Sequence, residues 1–175
     1  MIERGTTLFL AIAPSSRGFG YALFLGPKKL LDWGVKEIRA DKNARCVTQA
    51  AVLIGRMRPS VFIVEDWLHA GCRRSGRVKA LLEELAGLAT ANGLTVCTYS
   101  RRQVRGTFAA AGKTKDAIAA AVADSVPALL PWLPRKRRIW ESEQHSMAMF
   151  EAAALALTHS AHSDVRMQAQ AELAP

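Results

Sequence analysis

The stretch from Thr7 to Ala13 is apolar at every position after the threonine, and this run constrains the fold more than any other part of the chain. A strand with one solvated face alternates apolar and polar residues, so an unbroken apolar run marks a strand covered on both sides. It is expected at the centre of a sheet. Phe19 to Leu25 and Leu30 to Ile38 read as two further strands, joined by Gly-Pro-Lys-Lys at 26–29, a hairpin turn sequence. These three segments predict an antiparallel meander. Val47, Ala50, Ala51 and Ile54 recur at helical spacing and predict a helix over Asn43–Met57, ended by Arg58-Pro59. Ser60–Glu65 is a fourth strand. A helix over Arg77–Asn92, stopped at Asn92-Gly93, leads to a fifth strand over Leu94–Tyr99, a βαβ unit whose two strands run parallel. Helices over Lys115–Ser125 and Ser146–His159 fit the remainder, separated by a loop at 127–140 with three prolines. The fold class predicted is α/β: a five-stranded mixed sheet, antiparallel meander plus parallel strands, flanked by helices. One domain is expected over 1–161, with 162–175 as a polar, alanine-rich tail of frayed helix or disorder.

The chain of 175 residues, 50% hydrophobic, is long enough for one sizeable core and too short for two ordinary domains. Its formal net charge of +9 makes a polyanion the first expectation for a partner. The concentration of that charge is more informative than its sum. Three segments, 73–79, 101–116 and 135–138, carry 13 of the 24 Lys and Arg residues, opposed within them only by Asp116. Cys46, Cys72 and Cys97 form no CxxC pair and have no zinc-like histidine spacing, which points to a reduced, cytoplasmic chain. The apolar run Leu8–Ile12 is too short for a signal-peptide core or a membrane span, and no membrane association is expected.

Carboxylates at strand ends are where chemistry is sought next. Glu65 closes the apolar fourth strand, and Glu151 lies in an alanine-rich helix beside Phe150, Leu155 and Leu157. Taken singly, each reads as a glutamate at the solvent boundary. An acidic strand end and an acidic helix can also converge on a divalent cation.

Five pieces of the chain, in order, resemble the RuvC-like Holliday junction resolvases of the RNase H-like nuclease superfamily. They are LAIAPSSRGFGYA at 10–22, FIVEDW at 62–67, RRQVRGT at 101–107, GKTK at 112–115 and EAAALALTH at 151–159. The resemblance implies an RNase H-like fold, branched DNA as partner, a homodimer, and Mg²⁺- or Mn²⁺-dependent hydrolysis of a phosphodiester by four carboxylates. This chain departs from that pattern. Ala13 stands at the first-strand aspartate position, and Ala148 at the partner acid one helical turn before Glu151. Glu65 and Glu151 remain as the catalytic and metal-binding candidates. Metal binding is expected to be weak or absent, because the first-strand aspartate is the ligand implied to touch both cations. An introduced change at 13 would account for one vacancy, whereas a naturally diverged site accounts for both and for glutamate at 151. An active junction endonuclease with a rearranged metal site, and a scaffold for RNA or protein on the same fold, stay as alternatives.

Substitutes for the absent acids are few. Asp66 adjoins Glu65 and should point to the other face of the strand. Gln144 would share a face with Glu151 only if the helix reaches it, and His145 could contribute only if the helix starts after it. His69, His159 and His162 show no metal spacing.

DNA contacts are expected from the basic segments. Arg101, Arg102, Arg105, Lys113 and Lys115 match the resolvases' basic region beside the active site, and Arg73, Arg74, Arg77 and Lys79 form a cationic arm suited to phosphates. Leu68 falls where the resemblance implies an apolar wedge at the branch point, with Trp67 beside it as a wedge residue or a core anchor. Trp33, Trp132 and Trp140 read as packing residues. Val78, Leu81, Leu82, Leu85 and Leu88 lie nearly on one side of their helix, which resembles a dimer helix or packs on the sheet. Arg135–Arg138 has no family counterpart and is either a solvated loop or a contact.

Overall fold

The computed structural model describes residues 7–173. Five strands, β1 (Leu8–Ser15), β2 (Gly18–Leu25), β3 (Lys29–Glu37), β4 (Val61–Glu65) and β5 (Thr95–Tyr99), form one sheet in the order β3-β2-β1-β4-β5. The meander is antiparallel, and β4 pairs in parallel with both β1 and β5. β1 is the central strand, as its apolar run requires. Leu10 and Ile12 face helices α1 (Lys42–Met57) and α2 (Gly76–Ala91), while Phe9, Ala11 and Ala13 face α4 (Lys115–Ser125) and α5 (Met147–Glu172). Both faces are therefore dry, and alternation by two assigns each β1 residue to one of two cores.

Three expectations need correction. The last helix does not stop at His159; α5 continues unbroken to Glu172, with its exposed stretch beyond Ala161 carried by the same helix. Trp132 and Trp140 are not packing residues, being 56% and 77% exposed, whereas Trp33 and Trp67 do pack against the two cores. A further helix, α3 (Arg101–Thr107), occupies part of the basic region, and a 3₁₀ helix spans Pro127–Trp132. The apolar side of α2 packs within the protomer: Val78, Leu81, Leu82 and Leu85 are buried beneath the sheet, next to α1.

One close approach fixes how α5 lies on the sheet. Gly20 of β2 pairs with Ala13 of β1, and a Cβ on it would stand 2.1 Å from the carbonyl carbon of Ala148. Only a residue without a side chain lets the helix backbone come this near. The contact brings the start of α5, and so Glu151 one turn further, over the end of β1. Further along α5, His159 accepts or donates a 2.8 Å hydrogen bond with the Tyr99 hydroxyl and packs edge-on against Phe9. Burial, with Arg166 and His162 adding to it, holds the imidazole below its ordinary pKa of 6.5.

Gly20→Ala is expected to destabilise the fold by about 2–3 kcal/mol, the cost of overpacking a site whose neighbour is backbone; chemical denaturation measures it, and an unchanged midpoint would refute the close approach. Because the folded-state pKa of His159 is depressed, its contribution to stability is complete above the unfolded value of 6.5 and is lost as the pH falls through it. The loss of stability between about pH 7 and pH 5 should be smaller in His159→Gln than in the parent chain.

Candidate functional site

Glu65 ends β4 on the face that Ile63 presents to α5, two residues on and therefore on the same side. Glu151 comes down from the first turns of α5. The two carboxylates meet through Arg74, which reaches in from the segment between β4 and α2. Its Nε donates to Glu65 Oε2 at 2.6 Å, its Nη2 to Glu151 Oε2 at 3.4 Å, and its Nη1 to the Pro14 carbonyl at 3.4 Å. Lys115, the first residue of α4, bonds Glu151 Oε1 at 2.5 Å and Glu143 Oε2 at 2.9 Å. Burial by itself would lower the Arg74 pKa, but Glu151 and Glu65 outweigh it and hold the guanidinium above its ordinary value. The side chain of Arg74 is 19% exposed, and that of Glu65 10%. Charges this far out of water are tolerated because each is paired and hydrogen-bonded.

Two hollows open on this cluster. One, of about 330 Å³, has Ala13, Glu65, Arg74 and Glu151 at one end and Tyr99, Val104 and Phe150 along its walls. The other, of about 250 Å³, is lined by Ala148, Glu151, Arg74, Lys115, Glu143 and His145. The structure thus brings Ala13, Ala148, Glu65 and Glu151 to one place. His145 precedes α5 and lies at the edge of the second hollow. Gln144 is not on that helix; its carbonyl accepts from the Met147 N–H. Asp66 takes no part, since its Oδ1 accepts from the Leu68 N–H and shapes the turn after β4. His69 likewise bonds within its own turn, to the Gly71 N–H.

The donors do not fit the pair of divalent cations that the resemblance implies. Magnesium and manganese take several oxygens with free lone pairs. Of the four positions where the resemblance implies acids, two are alanines, and the glutamates at the other two already accept from a guanidinium and an ammonium. Among the described residues no group of three or more His, Cys, Asp or Glu is placed to hold a metal ion. Arg74 and Lys115 supply the positive charge that neutralises the two carboxylates.

The expected DNA contacts divide into two sets. Arg74 and Lys115 are engaged inside the site, and Arg77 donates to Asn43 Oδ1 on α1 at 3.1 Å. Arg73, Lys79, Arg101, Arg102, Arg105 and Lys113 form no ion pair among the described residues. Arg101, Arg105 and Lys113 stand at the rim of the larger hollow. Leu68 is 82% exposed, and the neighbouring Trp67 is half-buried against the α1/α2 core. Sequence reasoning missed α3, although its signal is present: Ser100 accepts from the Gln103 N–H and Gln103 Oε1 from the Ser100 N–H, a capping box in the pattern S-x-x-Q. It also missed the Arg74 pairing, which joins residues 9 and 77 positions apart and leaves no local pattern.

No family model and no curated protein matches the chain. Among solved structures, Thermus thermophilus RuvC in complex with a Holliday junction substrate is similar with a TM-score of 0.66 at 19% identity, over 91% of this chain and 96% of that one. The yeast mitochondrial Holliday junction resolvase is similar with a TM-score of 0.57 at 13% identity, over 97% and 85%. The fowlpox virus resolvase, bound to Holliday junction DNA, gives 0.54 at 13%, over 90% and 99%. On these likenesses, with its five-stranded mixed sheet flanked by helices, this chain has the RuvC-like resolvase fold.

Proposed function

We propose that this chain binds branched DNA, such as a Holliday junction, and does not cleave it by the metal-dependent route of the resolvases it resembles. The observation that carries the reading is the pairing of Glu65 and Glu151 with Arg74 and Lys115 beside Ala13 and Ala148. A carboxylate already neutralised by a guanidinium offers little to a dication, and displacing Arg74 would strand a buried charge. The rim cations Arg101, Arg105 and Lys113 are free for phosphates, and Arg73 and exposed Leu68 flank the segment that carries Arg74. The site keeps the grip on the backbone and lacks the means to activate water. A four-way junction has two-fold symmetry, so the proposal includes a homodimer, each copy offering one rim.

A synthetic four-way junction is expected to shift in a gel at nanomolar to micromolar protein, ahead of linear duplex of the same sequence, and to do so in EDTA. With six or more phosphate contacts the affinity should fall by about 10³ to 10⁵ between about 50 and 200 mM salt. Nicking in Mg²⁺ or Mn²⁺ that disappears in Glu65→Ala would establish the endonuclease instead, and failure to bind any nucleic acid at low salt would point to the scaffold. A second test concerns the ion pairs themselves. Arg74→Ala should destabilise the protein by about 2–4 kcal/mol, as expected for leaving two partly buried carboxylates without their partner, whereas EDTA should leave the melting temperature of the parent chain unchanged.

A further inference from the structure

The segment between the 3₁₀ helix and α5 is the part of the surface least explained by the proposed site. It reads PWLPRKRRIW over 131–140 and exposes Trp132, Ile139 and Trp140 together with all four cations Arg135 to Arg138. Large apolar side chains in water need a reason when they cluster, and these stand within one strongly cationic run. Arg138 lies over the Trp140 ring at 5.7 Å, which orients the indole by a cation–π contact and leaves it 77% exposed. Pro131 and Pro134 restrict the backbone before the basic run, so less freedom is lost when it is occupied. Its far end is tied down as well. The Arg138 N–H donates to Glu141 Oε2 at 3.0 Å, and Glu143 is held by Lys115, which also grips Glu151. The C-terminal end of the arm is thus three residues from Glu143, which Lys115 ties to the carboxylate cluster.

We infer that this segment is a second nucleic-acid contact that takes unpaired strand: phosphates on Arg135 to Arg138, and bases stacked on Trp140 and Trp132. Flat aromatic faces on either side of a cationic run match single-stranded nucleic acid, whose bases offer a π-face irrespective of sequence, better than they match a duplex, whose bases are covered by each other. An anionic lipid surface would also accept cations with tryptophans. It is the poorer fit, because the run has no amphipathic helix to lay an apolar face into the interface: residues 133–138 have no regular secondary structure. The inference goes beyond junction binding. It predicts affinity for DNA that has no branch.

The test uses the full chain with a fluorescently labelled oligothymidine and, separately, a blunt duplex of equal length. The oligothymidine should quench tryptophan fluorescence and bind more tightly than the duplex at matched salt. Trp140→Ala should weaken oligothymidine binding by about fivefold to a hundredfold, the range for removing one stacked base, with Trp140→Phe retaining most of it. Trp140 is on the surface, so both variants fold. Oligothymidine affinity unchanged in Trp140→Ala overturns the proposal and leaves a plain electrostatic loop. Tighter binding to phosphatidylserine vesicles than to oligothymidine overturns it in favour of a membrane surface. The branched-DNA reading fails separately, by loss of the preference for junction over linear duplex in the parent chain.

Discussion

The bond between Arg74 and the two glutamates is the interaction on which the rest of the site depends. It spans β4, the segment after it, and α5, so it fastens three parts of the chain that the sheet alone does not hold together. In an RNase H-like nuclease that fastening is expected of bound dications. A guanidinium performs it with fixed geometry, five donors and a charge that does not titrate in the accessible range. The consequence reaches beyond the loss of a metal. A site held by dications is neutralised only when they bind; one held by Arg74 and Lys115 is neutral from the moment the chain folds.

That arrangement needs α5 to sit very close to the sheet, and here the small residues matter. Ala13, Gly20 and Ala148 are stacked at one point, β1 beside β2 beneath the start of α5. Alanine at 13 and 148 is therefore consistent with both facts about the site. It adds no charge for a dication, and it adds no bulk between a glycine and a helix backbone already in contact. An aspartate at 13 would face the α4/α5 core, where Arg74 already serves two carboxylates, and would be a buried charge short of a partner.

The sheet and most helices were legible because each rests on a pattern of period two or 3.6 within a short window. Thr7–Ala13 could only be central, and Ser60–Glu65 and Leu94–Tyr99, divided by a helix, read as the parallel pair of a βαβ unit, which the structure forms with β5 at the sheet edge. The convergence of Glu65 with Glu151 came from family resemblance, since nothing in spacing places residues 86 positions apart in contact. Arg74 was visible as a cation and invisible as a partner, because charge alone does not say whether a side chain points outward or back. The same ambiguity misled the reading of Trp132 and Trp140: tryptophan is packed often enough that composition favours burial, and only the structure shows that Leu129 and Leu133 turn inward from this stretch while the two tryptophans stay outside. The length of α5 was missed because its second half carries no apolar stripe, so the helix is continued by alanine and glutamine propensity and not by burial.

Charge balance then separates cutting from holding. Of the cations gathered near the site, Arg74 and Lys115 balance Glu65 and Glu151 in the larger hollow, with Glu143 an additional carboxylate at the second, while Arg73, Arg101, Arg102, Arg105 and Lys113 have no acidic partner among the described residues. A phosphate approaching the larger hollow meets uncompensated positive charge at the rim and a neutral floor. In a metal nuclease the floor would be the most strongly attractive point, drawing the scissile phosphate inward. Here the uncompensated positive charge lies on Arg101, Arg105 and Lys113, and under the proposed function it would hold a strand lying across the site rather than one pressed into it.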